Sequence, residues 1–255
     1  MLFDTHMHTK FSTDSQMRLE EAVAKARELN LGITVTEHMD LAYPEPQAFL
    51  LDIEGYFREY EKYRSDELLL GIEIGMRTDC REDNRQIAAG HAFDYVIGSI
   101  HVIDNVDIYC ESFYRSRSKE EVYGQYFNAM IDCLETYEFI DCLGHIDYIA
   151  RYGRYDDPEI YYDQFKDSID RILGILAGQG KALEINTRRL DSRERIENIL
   201  PVYRRFHDLG GRLVTVGSDA HKPKDIGKGM KLALQLAGEC GLKAVRFKDR
   251  KPEYL

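Results

Sequence analysis

Apolar residues recur along the chain in two alternating rhythms, short aliphatic runs and longer stretches with the three-to-four spacing of an amphipathic helix. Leu2-Phe3 opens a short strand, and Met17 to Leu29 follows with Leu19, Ala22, Val23, Ala26 and Leu29 on one helical face before Asn30 to Gly32 ends it. Ile33 to Thr36 is a β-branched run closing on Glu37-His38, and a stretch through Pro44 and Pro46 leads to a helix over Ile53 to Tyr63. Leu68 to Ile74 and Phe93 to Ile100 read as buried strands, then Lys119 to Tyr137 as a helix and Phe139 to Gly144 as a strand. A helix over Glu159 to Ala177, a strand from Lys181 to Asn186, a helix over Arg193 to Leu209 and a strand from Arg212 to Val216 continue the alternation. A last helix, Gly229 to Cys240, precedes a short extension at Val245 to Phe247. Asp104 to Ser118 and the Arg- and Tyr-rich stretch Ala150 to Tyr155 carry neither rhythm and read as loops. Strands alternating with helices predict parallel βα units wrapped into an α/β barrel, and no linker or repeat divides it, so residues 1–255 form one domain.

The polar residues that break this pattern fall at particular places. Glu73 sits inside Leu-Leu-Leu-Gly-Ile-Glu-Ile, where a carboxylate is costly to bury unless paired or metal-bound. Six of the eight histidines, His6, His8, His38, His101, His145 and His221, stand within a residue or two of a strand's C-terminal end, while His91 and His207 do not. That end of a (β/α) barrel is where active sites are built. His6 and His8 are one residue apart in an extended segment, so both project to the same side. With Asp14, Glu73 and Asp219 they make nine candidate ligands of imidazole and carboxylate type, a mixture suited to Zn, Mn or Fe.

Composition narrows the function classes. A net charge of -11 argues against a nucleic-acid binder, which carries a basic face. Five cysteines without a C-x-x-C pair suggest neither disulfides nor a thiolate zinc site. No apolar run spans a bilayer and no signal-peptide pattern opens the chain, so a cytoplasmic protein with no membrane partner is expected.

Asp4-Thr5-His6-Met7-His8, Thr36-Glu37-His38, Gly71-Ile72-Glu73, Gly98-Ser99-Ile100-His101, Gly144-His145 and Gly217-Ser218-Asp219-Ala220-His221 resemble the ordered motifs of the polymerase and histidinol phosphatase (PHP) family. The resemblance runs nearly the whole length and implies a distorted, TIM-like (β/α)7 barrel with three divalent metal ions. It implies that His6, His8, Glu73 and Asp219 hold one ion, that Asp14, His38 and His221 hold a second, and that Glu73 bridges to a third completed by His101 and His145. Many members have histidine near position 14, where this chain has Asp14. The stretches Val96 to His101 and Glu184 to Thr187 are similar to those of the monofunctional histidinol-phosphate phosphatases.

Such a centre supports hydrolysis of a small phosphorylated metabolite, with Glu73 and Asp219 in catalytic roles. Arginine meets phosphate bidentately, and Arg154 is the first candidate, both catalytic and substrate-binding, with Arg188 and Arg189 as further substrate-binding candidates. The rival readings are a phosphotyrosine or nucleotide phosphatase, or a nuclease. Selectivity is expected from the loops Pro44 to Ile53, Asp104 to Ser118 and Ala150 to Tyr155, whose acidic and aromatic residues suit an ammonium and an imidazole.

Overall fold

A computed structural model describes every residue from Met1 to Leu255. Its strands, in chain order, are β1 (Leu2–Asp4), β2 (Leu31–Met39), β3 (Leu68–Gly75), β4 (Tyr95–Ser99), β5 (Val102–Ile103), β6 (Val106–Asp107), β7 (Cys142–Leu143), β8 (Ala182–Asn186), β9 (Leu213–Gly217), β10 (Lys243–Lys248) and β11 (Lys251–Tyr254). The helices are α1 (Leu19–Glu28), α2 (Ile53–Tyr60), α3 (Arg81–Gly90), α4 (Lys119–Leu134), α5 (Tyr148–Tyr152), α6 (Lys166–Gly178), α7 (Arg193–Asp208) and α8 (Met230–Glu239). None is long and apolar enough to cross a membrane.

The seven strands read from the sequence pair in parallel in the order β1-β2-β3-β4-β7-β8-β9, giving the expected distorted barrel. Every residue of β3 is buried, as in a parallel sheet covered by helices, and a Cβ on Gly71 would lie 2.8 Å from the Tyr95 carbonyl of the neighbouring strand. The sheet is not a continuous cylinder. Between β1 and β9 there is no ladder, only a parallel bridge from Met7 to Ala220. Along this seam Thr5 N donates to Val216 O at 3.0 Å, Asp219 N to His6 O at 2.8 Å and His8 N to Ala220 O at 2.9 Å. Asp4 joins the same edges: its carboxylate accepts from Ser218 N at 2.9 Å and from Gly227 N at 2.8 Å.

The opposite end of the barrel is closed by the β10–β11 hairpin, of which the sequence pattern shows only the short extension at Val245 to Phe247. Lys243 and Ala244 pair with β9 in parallel, after which the chain turns back at Asp249-Arg250. Phe247 stacks on Tyr95 with ring centroids 5.2 Å apart, and Arg250 Nε donates to Asp141 at 2.5 Å. Asp141 also accepts from Val96 N at 2.8 Å.

Four sequence expectations are corrected. Helix α6 begins at Lys166, not Glu159, because Ile160 is buried and Glu159 is drawn aside to Arg189 at 2.6 Å. Helix α3 was not expected; it buries only Asn84 and Ala88, which leaves almost no apolar periodicity to read. The Asp104 to Ser118 stretch contains β6 and a single turn of 3-10 helix, Glu111–Phe113, and begins at the turn of the β5–β6 hairpin. The Ala150 to Tyr155 stretch begins inside α5, so Arg151 is presented from a helical turn while Arg154 lies beyond it.

Burial pushes the Asp141 carboxyl up and Arg250 opposes that shift, so removing the guanidinium leaves a buried acid with backbone donors alone. Arg250→Ala is expected to destabilise the fold by about 2–3 kcal/mol, less than a fully buried pair because Arg250 keeps some solvent contact. Urea unfolding measures it, and metal content should be unchanged because the pair lies at the end away from the histidines.

Candidate metal centre

All nine residues of imidazole and carboxylate type gather at the C-terminal end of the barrel, around Glu73. Glu73 is level with His38 in the β2–β3 register and is fully buried. Its Oε2 lies 3.0 Å from His38 Nδ1, 3.3 Å from His6 Nε2 and 3.4 Å from His8 Nε2. Its Oε1 lies 2.9 Å from His145 Nε2 and 3.4 Å from His101 Nε2, and accepts from Ser99 Oγ at 2.6 Å. Asp219 Oδ1 is 3.5 Å from both His8 Nε2 and His221 Nδ1. Asp14, at the rim and half-exposed, reaches His221 Nε2 at 2.9 Å and His38 Nε2 at 3.7 Å.

Local chain geometry serves these positions. Asp219 has φ 52, a left-handed conformation rare for a residue other than glycine and typical of functional sites. A Cβ on Gly217 would stand 2.3 Å from His6 Cβ and 2.5 Å from Glu184 Oε1, and one on Gly144 would stand 2.3 Å from Ser99 Oγ. These two glycines let His6 and the hydroxyl that holds Glu73 pack against their strands.

Proton counting fixes how the first two histidines point. Ser12 Oγ donates its single proton to Glu37 at 2.5 Å, so it can only accept from His8 Nδ1 at 3.1 Å and from His38 N at 3.1 Å. His8 therefore carries its proton on Nδ1 and its lone pair on Nε2. His6 Nδ1 donates to Glu184 Oε1 at 2.6 Å, which turns its Nε2 toward His8 and Glu73. The two Nε2 atoms are 3.1 Å apart, a separation that a proton on His6 or a shared metal ion satisfies, and against its burial Glu184 and Glu73 hold His6 well above the usual imidazole range. Burial, followed by repulsion from His38 and His221, holds His8 well below the usual imidazole range, so it stays neutral. Burial alone would raise Glu73, yet the positive charge of His6, His101 and His38 holds it well below the usual carboxylate range.

This donor set fits divalent metal. Glu73 Oε2, His38 Nδ1 and His101 Nε2 are buried without a hydrogen-bond partner. Ligands about 2.0–2.2 Å from a shared ion lie roughly 3.0–3.5 Å from one another, matching most of the separations around Glu73 and longer than good hydrogen bonds. Three overlapping groups have all their ligand atoms within 4.8 Å of one another: His6, His8 and Glu73; His8, His38 and His221; and His38, Glu73 and His101.

The PHP domain family matches residues 4–188. The chain belongs to that family. Among PHP relatives, a probable histidinol-phosphatase of Clostridium acetobutylicum is 49% identical over 254 residues, covering all of both chains. The histidinol-phosphatase of Lactococcus lactis is 33% identical over 231 residues, covering 87% of this chain and 84% of its own. The crystal structure of the Lactococcus lactis histidinol phosphate phosphatase with zinc, L-histidinol and phosphate superposes with a TM-score of 0.94, covering 99% of this chain and 98% of that one at 31% identity.

Around the candidate ligands the arginines fall differently from expectation. Arg188 reaches the centre, with Nη1 3.1 Å from His221 Nδ1 and 3.8 Å from Asp219 Oδ1. Arg154 does not: its side chain is exposed and pairs with no ligand. Arg151, three residues earlier and on α5, takes that place, donating to Asp219 Oδ2 at 2.8 Å. Arg189 is also corrected, since its guanidinium is buried between Asp147 at 3.2 Å and Glu159 at 2.6 Å. His91 packs on Phe57 and Phe93, and His207 lies beside Gly241, both away from the cluster as expected.

Sequence reasoning missed the carboxylates that orient the ligands. Glu184 holds His6 Nδ1 and accepts from His145 N at 2.7 Å, Asp40 Oδ1 holds His101 Nδ1 at 2.8 Å, and Glu37 acts on His8 through Ser12. Glu37 and Asp40 flank His38 by one and two residues, and Glu184 stands in an apolar strand as Glu73 does, which was the available signal. Such partners set ligand orientation and basicity. Ser12→Ala is expected to weaken the ion served by His8 by roughly 10–100-fold, read by zinc titration against a chromophoric chelator. Unchanged affinity would show that the hydroxyl does not orient the ring.

Proposed function

We propose that this protein hydrolyses L-histidinol phosphate to L-histidinol and phosphate at a centre of three divalent transition-metal ions, zinc, manganese or iron. The observation that carries the reading is a cavity of about 420 Å³ that opens beside the cluster and is suited to a cationic, aromatic molecule. Its floor is His38, Asp40 and His101, and its walls hold Glu45 and Asp107 together with Tyr43, Phe49, Tyr109, Tyr148 and Tyr152. Carboxylates and aromatic faces are the groups that receive an ammonium and an imidazole. The similarity to histidinol-phosphatases over the whole chain supports the same substrate.

In this reading His6, His8, Glu73 and Asp219 serve one ion, Asp14, His38 and His221 a second, and Glu73 reaches a third with His101 and His145. When bound, the ions supply the Lewis acidity that activates water and neutralises the phosphate. Glu73 divides its two oxygens between the two groups of histidines, and Glu184, Asp40 and the Glu37–Ser12 pair keep those rings aimed. Arg151 and Arg188, on either side of Asp219, present guanidinium forks to the phosphate. Tyr148, stacked on His145 with centroids 4.6 Å apart, covers the cluster on the cavity side.

Metals and arginines recognise any phosphate monoester, so selectivity comes from the cavity, where binding the remote end of the substrate positions the reacting end. The kcat/KM for L-histidinol phosphate is expected to exceed that for p-nitrophenyl phosphate by at least ~100-fold, about 2.7 kcal/mol, although the aryl ester has the better leaving group. Parallel phosphate-release kinetics at equal metal loading test this, and an equal or reversed ratio would point to another phosphatase of the family. Chelation is expected to abolish turnover and zinc or manganese to restore it, while a fully active metal-free protein would refute the mechanism.

A further inference from the structure

The two walls that hold most of the aromatic and acidic groups of the cavity come from separate pieces of chain. One is the segment between β2 and α2, which supplies Tyr43, Glu45 and Phe49; the other is the β5–β6 hairpin and the turn after it, which supply Asp107, Tyr109 and Cys110. They meet over the cavity where the Tyr43 hydroxyl donates to Asp107.

Behind that contact, outside the cavity, both walls are tied to one side chain. Arg77 Nη1 donates to the Ala42 carbonyl at 3.0 Å, and Arg77 Nη2 donates to Asn105 Oδ1 at 2.8 Å in the turn of the hairpin. Asp79 grips the same guanidinium at two points, Nε at 3.0 Å and Nη2 at 2.7 Å, which fixes its plane. The backbone of Arg77 is itself held, since the Tyr137 hydroxyl donates to its carbonyl at 2.6 Å and accepts from its N–H at 3.1 Å. Ala42 has φ 54, a conformation that an alanine does not adopt without support, and its carbonyl is the atom Arg77 binds. Asp104 and Asn105 have φ 51 and 59, the ordinary geometry of a two-residue hairpin turn, so that wall is rigid and the Ala42 segment is the one that needs holding.

We propose that Arg77 is a specificity-determining positioning residue, which sets the distance between the two cavity walls so that they receive the non-phosphate end of the substrate. It touches neither metal ligands nor the cavity, and its fork is what allows one side chain to hold three segments. A lysine offers a point charge in place of the fork and restores only part of the effect. The inference rests on the cavity being the seat of that remote end.

The test compares wild type, Arg77→Ala and Arg77→Lys, each zinc-loaded, on L-histidinol phosphate and on p-nitrophenyl phosphate. Arg77→Ala is expected to lower kcat/KM for L-histidinol phosphate by roughly 10- to 100-fold, with kcat falling as well as KM rising. Activity on p-nitrophenyl phosphate should stay within about twofold and zinc content should be unchanged, with Arg77→Lys intermediate on the first substrate alone. An equal fall on both substrates, or a loss of zinc, would make Arg77 a merely structural residue and overturn the proposal, as would an unchanged ratio. A wild-type enzyme with no preference for L-histidinol phosphate would instead remove the reading of the cavity on which the proposal stands.

Discussion

An ionised carboxylate in the middle of a fully buried strand is tolerable only when positive charge surrounds it, and Glu73 is in that position. Five imidazoles from four different strand ends converge on its two oxygens, and their rings must be held in orientation to face them. Holding those rings brings in a further layer of buried carboxylates, Glu37, Glu184 and Asp40, which meet ring N–H groups, Ser12 and Thr9, and backbone N–H groups. Replacing one member leaves its neighbours facing unpaired atoms in a low-dielectric interior, so the network acts as a unit.

Much of this was legible in the chain because barrel geometry ties position in sequence to position in space. Six histidines at the ends of strands could only meet at one rim, and Glu73 announced itself by interrupting an aliphatic run. Where function depends on the direction of a long side chain, the sequence carried less. Arg154 and Arg151 are separated by less than one helical turn, and it is the short helix at Tyr148–Tyr152, not the composition of the stretch, that turns Arg151 inward and leaves Arg154 exposed. Arg189 looks equivalent to Arg188 in sequence, yet both lie in the 3-10 turn Thr187–Arg189 after β8, where adjacent side chains diverge, and Arg189 meets Asp147 and Glu159 in place of phosphate-binding ground. Helix α3 escaped notice because its buried face is an asparagine and an alanine.

The two ends of the barrel divide the work. The N-terminal end carries stability: Asp94 and Asp141 accept from backbone N–H groups there, and the β10–β11 hairpin lies over it with Phe247 against Tyr95. At the C-terminal end buried apolar area is exchanged for charged ligands and a polar-aromatic cavity, a loss of burial that the far end and the helices offset.

The seam between β1 and β9 gives the molecule a property that neither end has alone. Two of the three backbone bonds that join β1 to β9 are made by His6, His8 and Asp219, so three of the candidate ligands also shut the cylinder. During synthesis more than 200 residues of chain separate His6 and His8 from the appearance of Asp219 and His221. Until then β1 has β2 beside it but lacks its β9 edge, and the candidate ligand set is incomplete. Hydrolytic competence in this protein therefore reports that synthesis has run past His221 and that the first and last strands of the barrel have met.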